Sequence, residues 1–578
     1  MSNILNNIAK FIPILKTIQT YDQETFKGDL TAGVTVAIML IPQGMAYALL
    51  AGMPPVYGLY ASIIPVLIYA ILGSSKQLAV GPVAMVSLLI VAGVGELADA
   101  GSDRFIHLAI MTALGVGTVQ FLMGVFRMGF LVNFLSHPVL SGFTSAAALI
   151  IGASQLSNLL GLDLERSKQV HEILIGAYQN IGNINLITAA IGIGSVVSIM
   201  MLKKWKKTFP SALFVVVAGT LITAFFGLNT MGVSIVGNVP DGLPSLQMPG
   251  LSLGDFRSLL PIILVISLVS YMESIAVAKA IANKRGYKVD ANQELIALGG
   301  ANLGGAFFQS FPTTGGFSRT AVNDQSGAKT TLASVITAVL IGITVLFLTP
   351  LFYYLPSAVL AAIIMVAVAG LFDAEEMVHL WETEKKDLAM LSVTFLATLF
   401  LGIEEGIGIG VLLSLIMVIY TSTRPHSTEL GRLGDTQNFR NTDRYPEAKT
   451  EPGILIFRFD SNLYFANVEH FRESIEEKVN ERGQKLSVVI LDASAINNVD
   501  STGMHALSEL IKFLRTRGIA FYLAGVIGPV RDKLKRSGIT ETMGEENFFF
   551  DVNDAVAFYH ETDEAASGRN FSPLQTNV

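Results

Sequence analysis

Cysteine is absent from this chain of 578 residues, tryptophan occurs twice and histidine eight times. Without thiols there are no disulfides, no Fe–S clusters and no cysteine-based zinc sites. The histidines are scattered without ligand spacing, so neither a metal centre nor another cofactor is expected. Charge is scarce too: 15% of residues are Asp, Glu, Lys or Arg, against ~25% in an average globular protein. The formal net charge of -7 argues against a nucleic-acid partner and makes any basic site a local feature. No nucleophile–base set and no P-loop is present, which argues against an enzyme and leaves no catalytic residue to name. Residues 1–26 lack a compact apolar core followed by a small-residue cleavage site, so no cleavable signal is expected.

What the chain has in quantity is apolar sequence, 51% of its residues. This is the composition of a membrane protein with some soluble part. Apolar segments cover about residues 30–50, a second run ending near 73, then 107–126, 130–155, 184–202 and 209–228. A second series covers about 259–282, 294–308, 332–351, 356–372, 388–401 and 406–420. One interrupted segment in each series, at about 77–94 and 311–322, brings the count to seven per half. Lys10, Lys16 and Lys27 precede the first span. Lys76, Arg127, the run 203–207, the run 283–288, Lys329, Lys385, Lys386 and Arg424 follow even-numbered segments. The bias places both termini in the cytoplasm of a multi-pass protein in the lipid bilayer. Because seven is odd, the second half must be inverted relative to the first. Ile4, Leu5, Ile8, Phe11, Ile12, Leu15 and Ile18 recur at helical spacing before the first span, which suggests a surface-lying amphipathic segment interrupted near Pro13.

The two interrupted segments share a grammar. Phe311-Pro312-Thr313-Thr314-Gly315-Gly316-Phe317-Ser318-Arg319-Thr320-Ala321-Val322 reads as extended chain, a tight glycine turn and then a helix start. Gln77 to Ser87 reads as extended chain, Gly81-Pro82, then an apolar helix with Pro82 at its first position. A helix start exposes free N–H groups and a partial positive charge, so it attracts anions. Broken segments at corresponding places in two halves point to a transporter's substrate site. A cytoplasmic loop, in which Arg319 follows the positive-inside bias, is the competing reading of 311–322.

Other polar residues stand out in apolar surroundings. Pro42 should break or kink the first span, and Gln43 beside it faces either a cavity or a hydrogen-bonding helix. Glu273 in the eighth segment has either a coupling role or a structural ion pair, with Arg319 the candidate partner. Glu404 and Glu405 sit at an expected turn and read as surface residues. Gly406, Gly408 and Gly410 mimic part of a dinucleotide fingerprint but lack its βαβ context, so they read as helix-packing glycines.

After Arg424 the composition turns polar. Residues 425–450 read as a linker, 451–562 as a small α/β domain, and 563–578 as a disordered tail. Within the domain, Asp500 or Ser501 is a natural helix N-cap.

The stretches Pro42-Gln43-Gly44-Met45-Ala46-Tyr47, Pro54 to Tyr60, Gly81-Pro82 and Ser318 to Val322 together resemble the sulfate permease (SulP) anion transporters, whose animal members include pendrin and prestin. The C-terminal part resembles a STAS domain, related to bacterial anti-sigma-factor antagonists. The resemblance implies an α-helical 7+7 inverted repeat (halves 28–230 and 255–424 of a transmembrane domain 28–424, after a cytoplasmic segment 1–27). It also implies core and gate domains, a cytoplasmic STAS domain, a homodimer and a secondary anion transporter working by alternating access in the inner (plasma) membrane. Gln43, Tyr47, Val83, Ala84, Phe317, Ser318 and Arg319 would line the anion site, and Glu273 matches a coupling carboxylate. Sodium-coupled bicarbonate members have Asp at that place and Thr four residues on; Glu273 and Val277 depart from this and favour proton symport or exchange. Sulfate is the first expected substrate, then bicarbonate, then a C4-dicarboxylate; an anion channel-like member is the alternative. Ser501 matches the phosphorylated Ser of the Asp-Ser-Ser-Gly motif, against a plain N-cap role, and a cytoplasmic protein partner at the STAS domain is possible in that light.

Overall fold

The computed structural model of the protein describes residues 12–19, 21–130, 136–164, 170–205, 209–250, 252–434 and 436–567. Ile4, Leu5, Ile8 and Phe11 of the expected amphipathic segment, Lys206 and Lys207 of the basic run and positions 568–578 of the expected tail lie outside these residues. The chain divides into two compact units, Met1–Leu415 and Ile416–Val578.

The first half begins with α1 (Ile14–Gln19), α2 (Gln23–Leu50), α3 (Pro55–Tyr60) and α4 (Ile64–Leu72). A two-residue strand β1 (Val80–Gly81) then leads into α5 (Ala84–Val94), followed by α6 (Asp103–Val125), α7 (His137–Ser154) and α8 (Leu156–Leu160). The half ends with α9 (Val170–Gln179), α10 (Leu186–Trp205) and α11 (Ser211–Phe226). The second half gives α12 (Leu253–Arg285), α13 (Ala291–Ala306), the strand β2 (Thr314–Gly315) and α14 (Phe317–Gln325). It continues with α15 (Leu332–Phe347), α16 (Ser357–Ala369), α17 (Ala374–Thr383), α18 (Lys385–Phe400) and α19 (Ile403–Thr423). Side-chain caps fix several starts: Asp22 accepts from Thr25 N–H at 2.7 Å, Ser102 from Phe105 N–H at 3.1 Å and Asp373 from Glu376 N–H at 3.0 Å.

Among the described residues, eight helical stretches are long and apolar enough to cross a bilayer. The helices α5 and α14 are not: with 11 and 9 residues they reach only ~16 and ~14 Å, about half a ~30 Å hydrocarbon core. Short helices at corresponding places in the two halves are the geometry that the broken-segment reading expects.

The packing repeats between halves. The first long helix of the first half, α2, packs on α15, and its counterpart α12 packs on α6. In the same way α7 packs on α18, and α16 packs on α10. Each half thus lends helices to the other's bundle, as an inverted repeat requires.

Three expectations need correction. Pro42 does not break its helix, since α2 runs unbroken from Gln23 to Leu50; neighbouring helices at membrane depth support a chain that proline would disrupt in water. Pro82 is not the first helical residue: Val83 occupies the N-cap of α5. Amphipathic α9 and α17 occupy two of the connections between apolar segments. Glu405 lies in α19 and not in a turn, although it is exposed. Two of the three neighbouring glycines do serve packing: a Cβ at Gly406 would meet Thr398 Oγ1 at 2.1 Å, and one at Gly410 would meet Val139 Cγ1 at 2.6 Å.

The second unit carries a seven-stranded sheet. Its strands are β3 (Ser427–Leu433), β4 (Phe439–Asn441), β5 (Ala448–Lys449), β6 (Ile454–Phe459), β7 (Val488–Asp492), β8 (Ala520–Ala524) and β9 (Phe548–Phe549). The order is β4-β3-β6-β7-β8-β9, with β5 also on β3. The strands β6, β7, β8 and β9 are parallel, and β3 is antiparallel to β6. One face is covered by α20 (Val468–Arg482), α21 (Ser501–Thr516), α22 (Gly528–Arg536) and α23 (Ile539–Met543); the other carries α24 (Val552–Ser567). Residues 425–450, read as a linker, hold three strands of this sheet. Leu430 and Phe439 belong to the core beneath α24, which anchors a stretch whose polar composition hid it. The expected tail is also shorter, because α24 continues to Ser567.

Candidate functional site

The two half-helices meet end to end. β1 and β2 form an antiparallel ladder, with Val80 opposite Gly315 and Gly81 opposite Thr314. Gly316 N–H extends it by donating to Ala79 O at 3.1 Å. Irregular backbone at membrane depth needs every remaining polar group satisfied, and side chains supply the partners. Thr320 accepts from Ala79 N–H at 3.0 Å, and Asn323 donates to Gln77 O at 2.9 Å. On the other strand, Ser274 accepts from Gly315 N–H at 2.8 Å and Thr314 donates to Ser270 O at 2.6 Å.

A second layer holds β2 from behind. Asn302 of α13 accepts from Thr313 N–H at 2.7 Å and donates to Thr313 O at 3.1 Å and to Gln120 Oε1 at 3.1 Å. Gln120 of α6 then donates to Ser267 O at 3.1 Å and Ser270 Oγ at 2.8 Å. The network fixes the turn to three different helices. Sequence reading missed Gln120, Ser274, Asn302 and Thr320 as supports; their signal was polar side chains at membrane depth.

Both half-helices start uncapped by any side chain: Val83 is the N-cap of α5 and Gly316 that of α14. Their first N–H groups are therefore free to meet a ligand. Arg319, one turn into α14, is 1% exposed. Its Nη1 donates to Pro82 O at 2.5 Å, while Nε and Nη2 have no partner among the described residues. A buried, half-unpaired guanidinium is costly unless an anion completes it.

The other expected residues fall as follows. Val83, Ala84, Gln43 and Tyr47 are buried, and Gln43 Oε1 has no partner among the described residues. Phe317 and Ser318 are exposed at the start of α14. Glu273 is half-buried, but its Oε2 is enclosed and unpartnered. Tyr47, Glu273 and Arg319 lie within electrostatic range of one another. Among the described residues Arg319 makes no salt bridge, so the ion pair offered as the structural reading of Glu273 does not form. Val277, one turn beyond Glu273, is buried and offers no side-chain oxygen to a cation. A cleft walled by α2, α10, α11, α14 and α16 reaches Gln43, with Val322 and Ile363 on its sides and Lys203 adding a cation. Ser501 belongs to the second unit. There Asp500 is the N-cap, accepting from Gly503 N–H at 2.7 Å, and Ser501 is exposed at the first helical position.

Comparison with known proteins places this geometry. Residues 26–394 match the sulfate permease family and residues 445–555 match the STAS domain. The chain is 42% identical to sulfate transporter 4.1, chloroplastic, of Arabidopsis thaliana over 95% of its own length and 82% of the relative's. It is 35% identical to high affinity sulfate transporter 2 of Stylosanthes hamata, over 95% and 86%. The solved structure of murine solute carrier 26 family member A9, an anion transporter in the inward-facing state, superposes with a TM-score of 0.89 at 28% identity, covering 96% of this chain and 95% of that one. The transmembrane domain of a cyanobacterial bicarbonate transporter, BicA, shares the fold with a TM-score of 0.58 at 23% identity, over 68% and 98%. Matched along almost all its length by relatives more than 30% identical, the chain belongs to the sulfate permease family.

Proposed function

We propose that the chain is a secondary active anion transporter, with sulfate as substrate ahead of bicarbonate or a C4-dicarboxylate, working by alternating access and not as an enzyme. The observation that carries this reading is Arg319: a buried cation with two unpaired nitrogens beside two uncapped helix starts. A tetrahedral dianion satisfies such a set, taking backbone N–H groups and a charged donor together. Gln43, Tyr47, Val83, Ala84, Phe317 and Ser318 form the walls. The names of the plant relatives support sulfate.

Glu273 supplies the coupling step by taking up and releasing a proton at the edge of the anion site, in symport or exchange. The half-helices move as one body, because the ladder and the Asn302 network tie them together, while α10, α11 and α16 form the opposing wall. The protein works as a homodimer in the inner (plasma) membrane with both termini cytoplasmic. Its STAS domain serves regulation and a cytoplasmic protein partner, with exposed Ser501 as a modification point.

Uptake of labelled sulfate into proteoliposomes tests this reading. Saturable uptake, accelerated by sulfate inside the vesicles and inhibited by the better competitor among bicarbonate and C4-dicarboxylates, is expected. Flux that does not saturate and ignores internal sulfate contradicts a carrier.

A further inference from the structure

The second unit contains a cavity that the transport reading does not use. It opens where β3, β4 and β6 begin or end, and is lined by His426, Arg440, Asn441, Arg444, Arg458 and Asp460, with Tyr445 at its side. Three arginines and one carboxylate meet there in a chain whose net charge is -7. The carboxylate is already taken: Asp460 accepts from His426 Nδ1 at 2.7 Å and from Arg458 at 2.7 and 3.3 Å. Burial alone would raise its pKa, but these hydrogen bonds and charges outweigh burial and hold it below the usual carboxylate range. Asp460 therefore stays ionised at neutral pH and cancels Arg458 alone. Arg440 donates only to its own neighbour, Phe439 O, at 3.0 Å. Among the described residues, Arg440 and Arg444 have no acidic partner. The turn that presents Arg444 is fixed by Asn441, whose Oδ1 accepts from Asp443 N–H at 2.7 Å and Arg444 N–H at 3.3 Å.

We propose that this cavity is a binding site for a phosphate group, held by the guanidinium forks of Arg440 and Arg444. Paired arginines match a phosphate in both charge and planar geometry. His426 follows Thr423, the last residue of the apolar helix α19, by three positions, or ~10 Å of extended chain. Basic clusters that follow a membrane span this closely in sequence are a pattern by which proteins meet anionic headgroups. The phosphate belongs either to an anionic phospholipid or to a soluble phosphorylated compound.

The test compares full-length wild type, R440Q/R444Q and R444K in two arms. In detergent, binding of inorganic phosphate and of ATP is measured by calorimetry. In nanodiscs, the thermal transition is compared between phosphatidylcholine alone and phosphatidylcholine with phosphatidylglycerol. Because these arginines are exposed, the variants should fold. The double variant should bind phosphate at least ~10-fold more weakly, or lose the shift produced by phosphatidylglycerol; ~10-fold is the scale of one charge-assisted hydrogen bond. R444K should fall between, since it keeps the charge and loses the fork. A response in the nanodisc arm alone assigns a lipid headgroup, and one in the detergent arm assigns a soluble phosphate. Identical behaviour of wild type and R440Q/R444Q in both arms overturns the proposal.

Discussion

Arg319 donates through Nη1 to the carbonyl of Pro82 at 2.5 Å, across 237 positions of sequence. The bond joins the start of α14 to the start of α5, so the two halves of the inverted repeat meet at one guanidinium. It uses one nitrogen and leaves Nε and Nη2 free. A backbone carbonyl offers only a partial charge and Glu273 acts on the guanidinium only through space, so two of its donors stay open to an anion.

Gly316 sets how closely the backbone approaches that cation. A Cβ there would lie 2.9 Å from Arg319 Cζ and Nη2. The residue's φ of -95° suits any amino acid, so Gly316→Ala should fold and act only by displacing Arg319. Sulfate affinity should fall ~10-fold or more, the scale of one hydrogen bond to a charged group. Gly408→Ala, which has open space around it, is the control. Equal affinities in the two variants would show that Gly316 does not position Arg319.

Glu273 holds an enclosed, unpartnered oxygen beside the site. If it carries the coupling proton, wild-type uptake rises as external pH falls, because the carboxyl must load a proton before the site turns inward. Glu273→Gln mimics the protonated form permanently. Its uptake should lose that pH slope, or net uptake should stop while anion exchange continues. A wild-type slope in the variant assigns Glu273 to structure.

Asn302 satisfies both polar groups of the Thr313 backbone. Asn302→Leu would orphan Thr313 N–H and O and Gln120 Oε1, with each buried orphan costing ~1–3 kcal/mol. The thermal transition of the purified protein should drop and uptake should vanish. Asn302→Asp keeps the acceptor for Thr313 N–H and should lose less. Unchanged stability in Asn302→Leu would mean that the network does not hold β2.

The second unit contributes no residue to the proposed anion site. A chain ending after Thr423 should still bind sulfate, at whatever yield it expresses. Loss of binding by a folded truncated protein would refute this division of labour. The cut must fall there because a cut near Thr436, inside the expected linker, would separate β3 from its partner β6.

What could be read from the chain was whatever interrupts a pattern. Gly81-Pro82 and Gly315-Gly316 break apolar runs, and they do mark the half-helix starts. Arg319, Gln43 and Glu273 stand out because polar side chains are expensive at membrane depth. Less could be read where tertiary packing decides. Pro42 is a helix breaker by local chemistry, yet α2 passes through it. Strand β3 spells Ser-Thr-Glu-Leu-Gly-Arg-Leu, and only its place between β4 and β6 makes it a strand. Gln120, Asn302 and Thr313 come from separate segments, and nothing local shows that they meet. The structural alternative for Glu273, an ion pair with Arg319, is not formed among the described residues, because Arg319 turns to a carbonyl instead.

The most direct test is equilibrium binding of labelled sulfate to purified full-length protein and to Arg319→Ala, with thermal stability measured without anion. The variant should bind sulfate at least ~10-fold more weakly, while its anion-free stability holds or rises, because an unpaired buried charge has been removed. Wild-type affinity in a folded Arg319→Ala protein would contradict an anion site built around Arg319.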